Sequence, residues 1–256
     1  MKSSKIAFAL IISLFAGAVI IGYFSSSGNT SGTPGFRFVF LTDIHVTQDK
    51  GGDKGFQEAI DFINKMQPKP DFVVTGGDLV MDALAENQEK ADSLFSLYSS
   101  LAGELDMPVY NCIGNHYHFG IYEESEIAPS HPLYNDTFFN KHFNLSDSYY
   151  SFNRNGYHFI MLNSISITPE RRYTGHIDEH QLAWLRQDLA DIEPDTPVIL
   201  VTHIPLYSAA VFFRDSSLAA NRPGLELYNP GEGPDTRRPH PFTVGIPPPL
   251  SPPHDT

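Results

Sequence analysis

The chain has 256 residues, 41% of them hydrophobic, and a formal net charge of −13 from 30 acidic and 17 basic residues. A chain of this length can bury one large core. The excess of acidic residues argues against a nucleic-acid backbone or an anionic membrane surface as a binding partner, because binding to either needs clustered lysine and arginine. The one cysteine, Cys112, excludes an intramolecular disulfide and argues against a thiolate metal site.

The first 24 residues have the layout of an export signal. Lys2 and Lys5 precede an apolar stretch at 6–24, and a polar linker at 25–35 follows. The stretch is about long enough to cross a bilayer, so a signal peptide cleaved near Ser25 and an uncleaved signal anchor both fit it. We expect an exported protein, periplasmic or extracellular, whose only membrane contact is through this segment.

Four segments of β-forming residues each run into a residue of a metal-ligand type. They are 36–42 before Asp43 and His45, 72–75 before Gly76-Gly77-Asp78, 108–110 before Asn115-His116, and 197–202 before His203. In an open α/β sheet, ligands bind beyond the carboxyl ends of the strands. The four strand ends can therefore converge on one site.

The ligand types and their spacing have physical reasons. Asp43 and His45 lie two residues apart, so an extended segment presents both side chains on one face. Two glycines before Asp78 permit a tight turn that directs its carboxylate over the strand ends. Asn115 offers a neutral amide oxygen. Mixed oxygen and nitrogen donors of this kind suit Zn, Mn or Fe, and the sequence does not choose among them.

Apolar stripes at helical spacing predict three helices between and after these strands. The first two stripes lie at 56–66 and 91–101, and the third comprises Leu182, Leu185 and Leu189. Asp178, with Gln181 three residues later, resembles a capping box at the start of the third helix. We expect all three stripes to pack in the core.

Two further segments complete the predicted architecture. Residues 149–152 and 157–162 are predicted to form a hairpin, because Asn155-Gly156 tolerates the positive φ of a tight turn. Residues 119–141 are rich in aromatic side chains but show no clear period, which predicts a long loop beside His116 that shapes the substrate pocket. The pattern as a whole predicts an α/β protein, a sandwich with helices outside.

The motifs D-x-H, G-G-D, G-N-H and a late T-H, in this order, resemble the calcineurin-like metallophosphoesterase superfamily over roughly 36–206. The resemblance implies a β-sandwich flanked by helices and two divalent ions bridged by Asp78. By the same resemblance, His116 is the catalytic residue that protonates the leaving group. The implied ligands are Asp43 and His45 for the first ion, and Asn115 and His203 for the second.

That resemblance implies hydrolysis of a phosphomonoester or phosphodiester by attack of a metal-bridging hydroxide. The alternative is a non-catalytic scaffold or binding protein that keeps the fold with a degraded metal site. An acid phosphatase of the purple type resembles the chain less, because that group places a metal-binding tyrosine shortly after G-D, where Leu79-Val80-Met81 stand here. The expected partner is a small phosphoester, with no nucleic acid.

Two departures from the family pattern bear on the site. Tyr117 follows G-N-H where the family usually carries an acidic residue that orients the histidine. No G-H-x-H motif follows His203, and residues 230–256 are dense in proline, which favours disorder. We expect an incomplete phosphoesterase domain at 36–229 with weak metal retention, followed by a natural or frameshifted tail. His118 and His240 are the first substitute ligands to test.

Overall fold

The computed structural model describes residues 35–206 with their side chains, and four backbone strands outside that range. Those strands are β1 (Phe8–Leu14), β2 (Gly17–Phe24), β11 (Glu226–Leu227) and β12 (Phe242–Thr243). The side chains of the predicted export segment, nearly all of the predicted linker and most of the proline-rich tail lie outside the described residues. Among the described residues, no helix is both long and apolar enough to cross a membrane.

The first sheet has the strand order β1-β2-β3-β4-β5. Its last three strands are β3 (Phe36–Thr42), β4 (Phe72–Thr75) and β5 (Val109–Asn111). They run parallel, with Leu41 opposite Thr75 and Thr75 opposite Asn111 at their carboxyl ends. Parallel alignment in this register puts the first three predicted ligand segments at the same edge of the sheet.

The second sheet has the order β10-β7-β6. The strands are β6 (Tyr150–Arg154), β7 (Tyr157–Met161) and β10 (Val198–Val201). β6 and β7 form the predicted hairpin, with φ of 49° at Asn155 and 77° at Gly156 in its turn. β10 runs parallel to β7, so His203 approaches the site from the second sheet and not from the first.

Alternation along β3 and β4 divides the core into two layers. Phe36, Phe38, Phe72 and Val74 face the second sheet, where they pack with Phe159, Met161 and Val201. The intervening side chains, such as Val39 and Val73, face the helices. Strand side chains alternate between faces, and these strands are apolar on both faces because each face is covered.

Helices α1 (Gly52–Lys65) and α2 (Gln88–Ala102) cover the outer face of the first sheet. Phe56, Ile60 and Ile63 of α1 are buried there, as the first stripe predicts. The ring of Phe56 stacks on Tyr98 of α2 at 5.5 Å. Asn87 caps α2 by accepting a hydrogen bond from the Lys90 N–H at 2.9 Å.

Helix α4 (Glu179–Ala190) begins at the predicted cap, where the Asp178 carboxylate accepts a hydrogen bond from the Gln181 N–H at 2.7 Å. The prediction that its leucine stripe packs in the core was wrong. Gln181 is its one buried residue, and Leu189 is 41% exposed. Hydrogen bonds hold the helix instead, because Gln181 bonds the backbone of Asn163 in both directions and Asp188 accepts from Ser151.

The prediction of one long loop at 119–141 was wrong in its last part. The segment contains a 3₁₀ turn (Glu123–Ser125) and leads into α3 (Thr137–Phe143). Phe138 and Phe139 of this helix are buried, and Phe138 meets Phe95 of α2 at 4.9 Å. Seven residues are too few to establish a period, so packing against α2 decides the helical state. The remaining short strands, β8 (Ile165–Ile167) and β9 (Tyr173–Gly175), pair with each other.

Candidate metal centre

The loops after β3, β4, β5 and β10 bring all six predicted site residues together. Asp43 and His45 follow β3, and Asp78 follows β4. Asn115 and His116 form a short 3₁₀ turn (Asn115–Tyr117) after β5, and His203 follows β10. The side chains of Asp78 and Asn115 are buried, whereas Asp43, His45, His116 and His203 are partly exposed at the edge. The roles assigned to these six residues stay predictions, but their convergence is a property of the structure.

Asp78 lies at the centre of the cluster. Its Oδ2 atom lies 3.2 Å from Nε2 of His203, 3.7 Å from Nε2 of His116 and 3.9 Å from Nε2 of His45. Its Oδ1 atom accepts a hydrogen bond from the His116 N–H at 3.1 Å. The carboxylate is therefore held by one oxygen and presents the other to three imidazoles.

Two overlapping groups of side chains could each hold a metal ion. One is His45, Asp78 and His116, and the other is Asp43, Asp78 and His203, with the ligand atoms of each group within 4.8 Å of one another. Asp78 belongs to both groups, as a bridging ligand must. The pairing of Asp43 with His203, and the presence of His116 in a group, were not anticipated from the sequence.

The imidazole of His203 is oriented by the first sheet. Its Nδ1 atom lies 3.0 Å from the carbonyl oxygen of Gly76, so Nδ1–H donates to that oxygen. Its Nε2 atom then faces Oδ1 of Asn115 at 3.0 Å and Oδ2 of Asp78 at 3.2 Å. With Nδ1–H held by this carbonyl, Nε2 is the nitrogen that faces the site and that can bind a metal once its proton is lost.

Opposing effects set the pKa values of Asp78 and His203. Burial alone would raise the pKa of Asp78, but the hydrogen bond and charge of His203 outweigh it and hold that pKa below its usual value. Burial alone would lower the pKa of His203, but contact with Asp78 raises it above its usual value. Burial also lowers the pKa of His45, which favours the neutral imidazole that a metal requires.

Three of the predicted ligands have left-handed backbone conformations. The φ angles are 55° at Asp43, 49° at His45 and 49° at Asp78. Such angles are uncommon outside glycine and persist only where neighbouring contacts fix them. Two of those contacts are backbone hydrogen bonds, from the Asp43 N–H to Gly77 O at 3.1 Å and from the His45 N–H to Asp78 O at 2.9 Å.

Close approaches explain two of the glycines. Gly77 has a φ of 102°, and a Cβ there would lie 2.6 Å from Nδ1 of His203. A Cβ at Gly114 would collide with the carboxylate and backbone of Asp78. Side chains at either position would push apart the loops that carry the ligands. The importance of Gly77 follows from the tight turn expected before Asp78, whereas that of Gly114 needs the tertiary structure.

The donor set fits divalent metal ions. Carboxylate, amide and imidazole atoms converge, and Nε2 of His203 faces two oxygen acceptors at hydrogen-bond distance. Buried Nδ1 atoms of His45 and His116 have no hydrogen-bond partner among the described residues. Mixed oxygen and nitrogen ligands of this type bind Zn, Mn or Fe. The two groups that share Asp78 support a centre for two divalent ions.

Comparison with known proteins gives a consistent result. The sequence profile of the calcineurin-like phosphoesterase domain matches residues 36–230. The chain is similar to the serine/threonine-protein phosphatase CPPED1 of Bos taurus, at 29% identity over 64% of this chain and 51% of that protein. Against the Mus musculus protein the identity is 30% over the same shares. The chain thus spans about half the length of the curated relatives it matches.

A solved dimetal phosphatase from Danio rerio aligns with a TM-score of 0.46 and 15% identity, over 67% of this chain and 70% of that one. Family membership therefore rests on the profile, which covers most of the chain and spans all four ligand segments. The mixed α/β sandwich with its helices is the fold expected of that family. The chain belongs to the calcineurin-like phosphoesterase family.

Proposed function

We propose that the protein is a phosphoesterase that uses two divalent metal ions to hydrolyse a phosphomonoester or phosphodiester. One observation carries the proposal: two groups of ligand atoms share the Asp78 carboxylate, and Nε2 of His116, a member of one group, lies 3.7 Å from that carboxylate. A structural ion needs a closed shell of ligands, whereas this cluster is partly exposed on the side of Asp43 and His45. The phosphoryl group would enter from that side.

When bound, the two ions would activate water and neutralise charge on the phosphoryl oxygens. The protein's part is to fix where they bind. Asp78 can present one oxygen to both positions, because its other oxygen is engaged by the His116 N–H. Asp43, His45, Asn115 and His203 would supply further ligands, and the distances place His45 at one position and Asp43 and His203 at the other. Zn, Mn and Fe are the candidate metals, since the donors do not distinguish them.

His116 is proposed as the proton donor to the leaving group. Its backbone is fixed on both sides, since its N–H donates to Asp78 and its carbonyl accepts from the Ala83 N–H at 2.9 Å. The imidazole is 23% exposed, so it borders both the cluster and solvent. Histidine ionises near neutral pH, and a positioned histidine contributes typically about 10² to 10⁴-fold to catalysis.

The site and the relatives support a first choice of substrate. The relatives are named serine/threonine-protein phosphatases, which makes a phosphoserine or phosphothreonine monoester the first natural substrate to test. The net charge of −13 leaves the ions as the main local attraction for phosphate. We also propose export, supported by Lys2, Lys5 and the apolar stretch. Cell fractionation with N-terminal sequencing tests it, and recovery in the cytosol with an intact N-terminus would contradict it.

The test compares the wild-type protein with His116→Ala and a control, His142→Ala, which changes a histidine of α3 that bonds Ser99 of α2. The protein is stripped with a chelator and reloaded with Mn²⁺, Zn²⁺ or Fe²⁺. It is then assayed on p-nitrophenyl phosphate, its bis-ester and an alkyl phosphate. Turnover should require metal, and His116→Ala should lose far more activity on the alkyl ester than on nitrophenyl esters.

Two outcomes would contradict the proposal. Equal losses on both ester types would indicate that His116 binds metal or positions phosphate. Tight metal binding without turnover on any of these esters would favour the non-catalytic scaffold. His142→Ala should leave both the metal requirement and the ratio of activities unchanged.

A further inference from the structure

Tyr117 is the residue after His116 and is fully buried. Its ring packs against Phe95 of α2 and Phe139 of α3, each at 5.3 Å between ring centroids. Its hydroxyl oxygen accepts a hydrogen bond from the Leu79 N–H. The ring is thus held by the helix-side core, whereas the hydroxyl reaches across to the loop that follows β4.

Leu79 is the residue directly after Asp78, so this hydrogen bond acts on the peptide that carries the bridging carboxylate. Asp78 has a φ of 49°, which requires support from its surroundings. The supports are four hydrogen bonds. The His45 N–H donates to Asp78 O at 2.9 Å, the Val46 N–H donates to Leu79 O at 2.8 Å, and the His116 N–H donates to Asp78 Oδ1 at 3.1 Å. The fourth is the bond from Leu79 to Tyr117.

The segment after β5 therefore forms hydrogen bonds to the Asp78 turn at two points. The His116 N–H fixes the carboxylate, and the Tyr117 hydroxyl fixes the following amide. Leu79 is fully buried, so water cannot replace the acceptor if the hydroxyl is removed. Without this bond, the peptide between Asp78 and Leu79 is held only at its carbonyl oxygen, so it can tilt and shift Oδ2 away from the imidazoles.

We propose that the Tyr117 hydroxyl is a positioning group for the metal centre, which sets the Asp78 carboxylate in the orientation that bridges the two ions. The inference rests on the proposed two-metal function. Tyr117 contacts neither ligand atoms nor substrate in this assignment, and it acts through the Leu79 amide. Loss of such an outer-shell hydrogen bond typically costs about 10- to 100-fold in metal affinity or activity.

The experiment compares Tyr117→Phe with Tyr98→Phe. Tyr98 is also a buried tyrosine of the helix-side core, and its hydroxyl donates to Oδ1 of Asn111 at 2.6 Å, a bond in which no ligand residue and no residue of the Asp78 turn takes part. Each variant removes one buried hydroxyl and keeps the ring. Isothermal titration with Mn²⁺ gives metal affinity, electron paramagnetic resonance reports exchange coupling between two bridged Mn²⁺ ions, and thermal unfolding of the metal-free protein reports the fold.

Tyr117→Phe should lose about 10- to 100-fold in Mn²⁺ affinity and weaken the exchange-coupled signal. Tyr98→Phe should retain both, with a comparable drop in melting temperature. Equal metal affinity in the two variants would overturn the proposal, whatever their stability. Wild-type Mn²⁺ binding without phosphoesterase turnover would count against the proposed function alone, because the affinity comparison stands without activity.

A measurement on the wild-type protein covers the case in which Tyr117→Phe does not fold. Amide hydrogen exchange of Leu79 is compared with that of Cys112, whose N–H donates to the Thr75 backbone at 3.3 Å. Mn²⁺ loading should slow exchange at Leu79 at least about tenfold more than at Cys112, because only the Leu79 hydrogen bond belongs to the metal-binding turn. Equal slowing at both amides would also overturn the proposal.

Discussion

Two largely buried imidazole–carboxylate pairs involve residues of the second sheet or next to it, and they differ in how completely their atoms are satisfied. One is His203–Asp78 in the candidate metal centre, at 3.2 Å. The other is His158–Asp188 beneath α4, at 2.7 Å. His158 belongs to β7, and His203 follows β10. The sequence alone does not predict either pairing.

The pair beneath α4 is closed. His158 places Nε2 on Asp188 and Nδ1 on Oδ1 of Asn153 at 2.8 Å. The second oxygen of Asp188 accepts from the Ser151 hydroxyl at 2.5 Å. Each nitrogen and each carboxylate oxygen of the pair has a hydrogen-bond partner. The pair joins α4 to the sheet.

The pair in the metal centre is open. Oδ2 of Asp78 faces three imidazoles, and the buried Nδ1 atoms of His45 and His116 have no hydrogen-bond partner among residues 35–206. Buried polar atoms in folded proteins are normally satisfied, and an exception calls for a bound ion, a water or a functional role. The two pairs are alike in charge and similar in burial, and they differ in the unsatisfied histidine nitrogens beside the open pair.

Asp78→Asn should have the largest effect, because it removes the shared charge from both ligand groups. We expect metal affinity to fall on the order of 10³-fold or more, beyond the about 10- to 100-fold for an outer-shell partner. Turnover should disappear with the metal. Metal titration and phosphatase assay check this, with Asp71→Asn on the surface as the control. A variant that still binds two ions tightly would show that the Asp78 charge does not make the open pair a metal site.

Asp188→Asn should give the complementary result. Removing one partner of a buried pair is strongly destabilising, and we expect a loss of about 3 kcal/mol in unfolding free energy. Metal affinity of the folded protein should stay unchanged, because the closed pair contacts no ligand residue. Urea unfolding and Mn²⁺ titration measure the two quantities. A drop in metal affinity at constant stability would show that the two clusters are coupled.

Ser164→Ala tests how the second sheet supports the metal centre. The buried Ser164 hydroxyl accepts a hydrogen bond from the Ile204 N–H at 2.9 Å, next to His203. Losing it leaves a buried amide unsatisfied, at a cost of about 1–3 kcal/mol in stability. Metal affinity should fall by about tenfold, within the range for outer-shell partners. Unaltered affinity would mean that Gly76 alone suffices to hold His203.

The smallest expected effect concerns His142, which belongs to α3 and bonds the Ser99 hydroxyl of α2 at 2.8 Å. Burial lowers the pKa of His142 below the usual 6.5, so folding favours its neutral form. Its contribution to stability is present above pH 6.5 and is lost as the pH falls through and below that value. His142→Gln should flatten the pH dependence of unfolding between about pH 5 and 7, without altering metal affinity. An unchanged profile would show that this histidine titrates normally.

The sequence by itself determined the local features of this protein. Strand-forming runs located β3, β4, β5 and β10 and the six residues after them. Asn155-Gly156 located the hairpin turn, and Asp178 located the start of α4. Each of these signals depends on sterics or hydrogen bonds within a few residues of the chain, so neighbouring residue types were enough to predict them.

Only the tertiary structure decided which strand ends meet and what holds them. His203 reaches Asp78 from a different sheet, α3 exists because Phe138 packs on Phe95, and the leucine stripe of α4 stays partly exposed because hydrogen bonds hold that helix. The Tyr117 hydroxyl bonds an amide 38 residues earlier in the chain. Contacts between residues so far apart in the chain depend on how the two sheets and their helices pack. Residue types and spacing within a short segment cannot predict them.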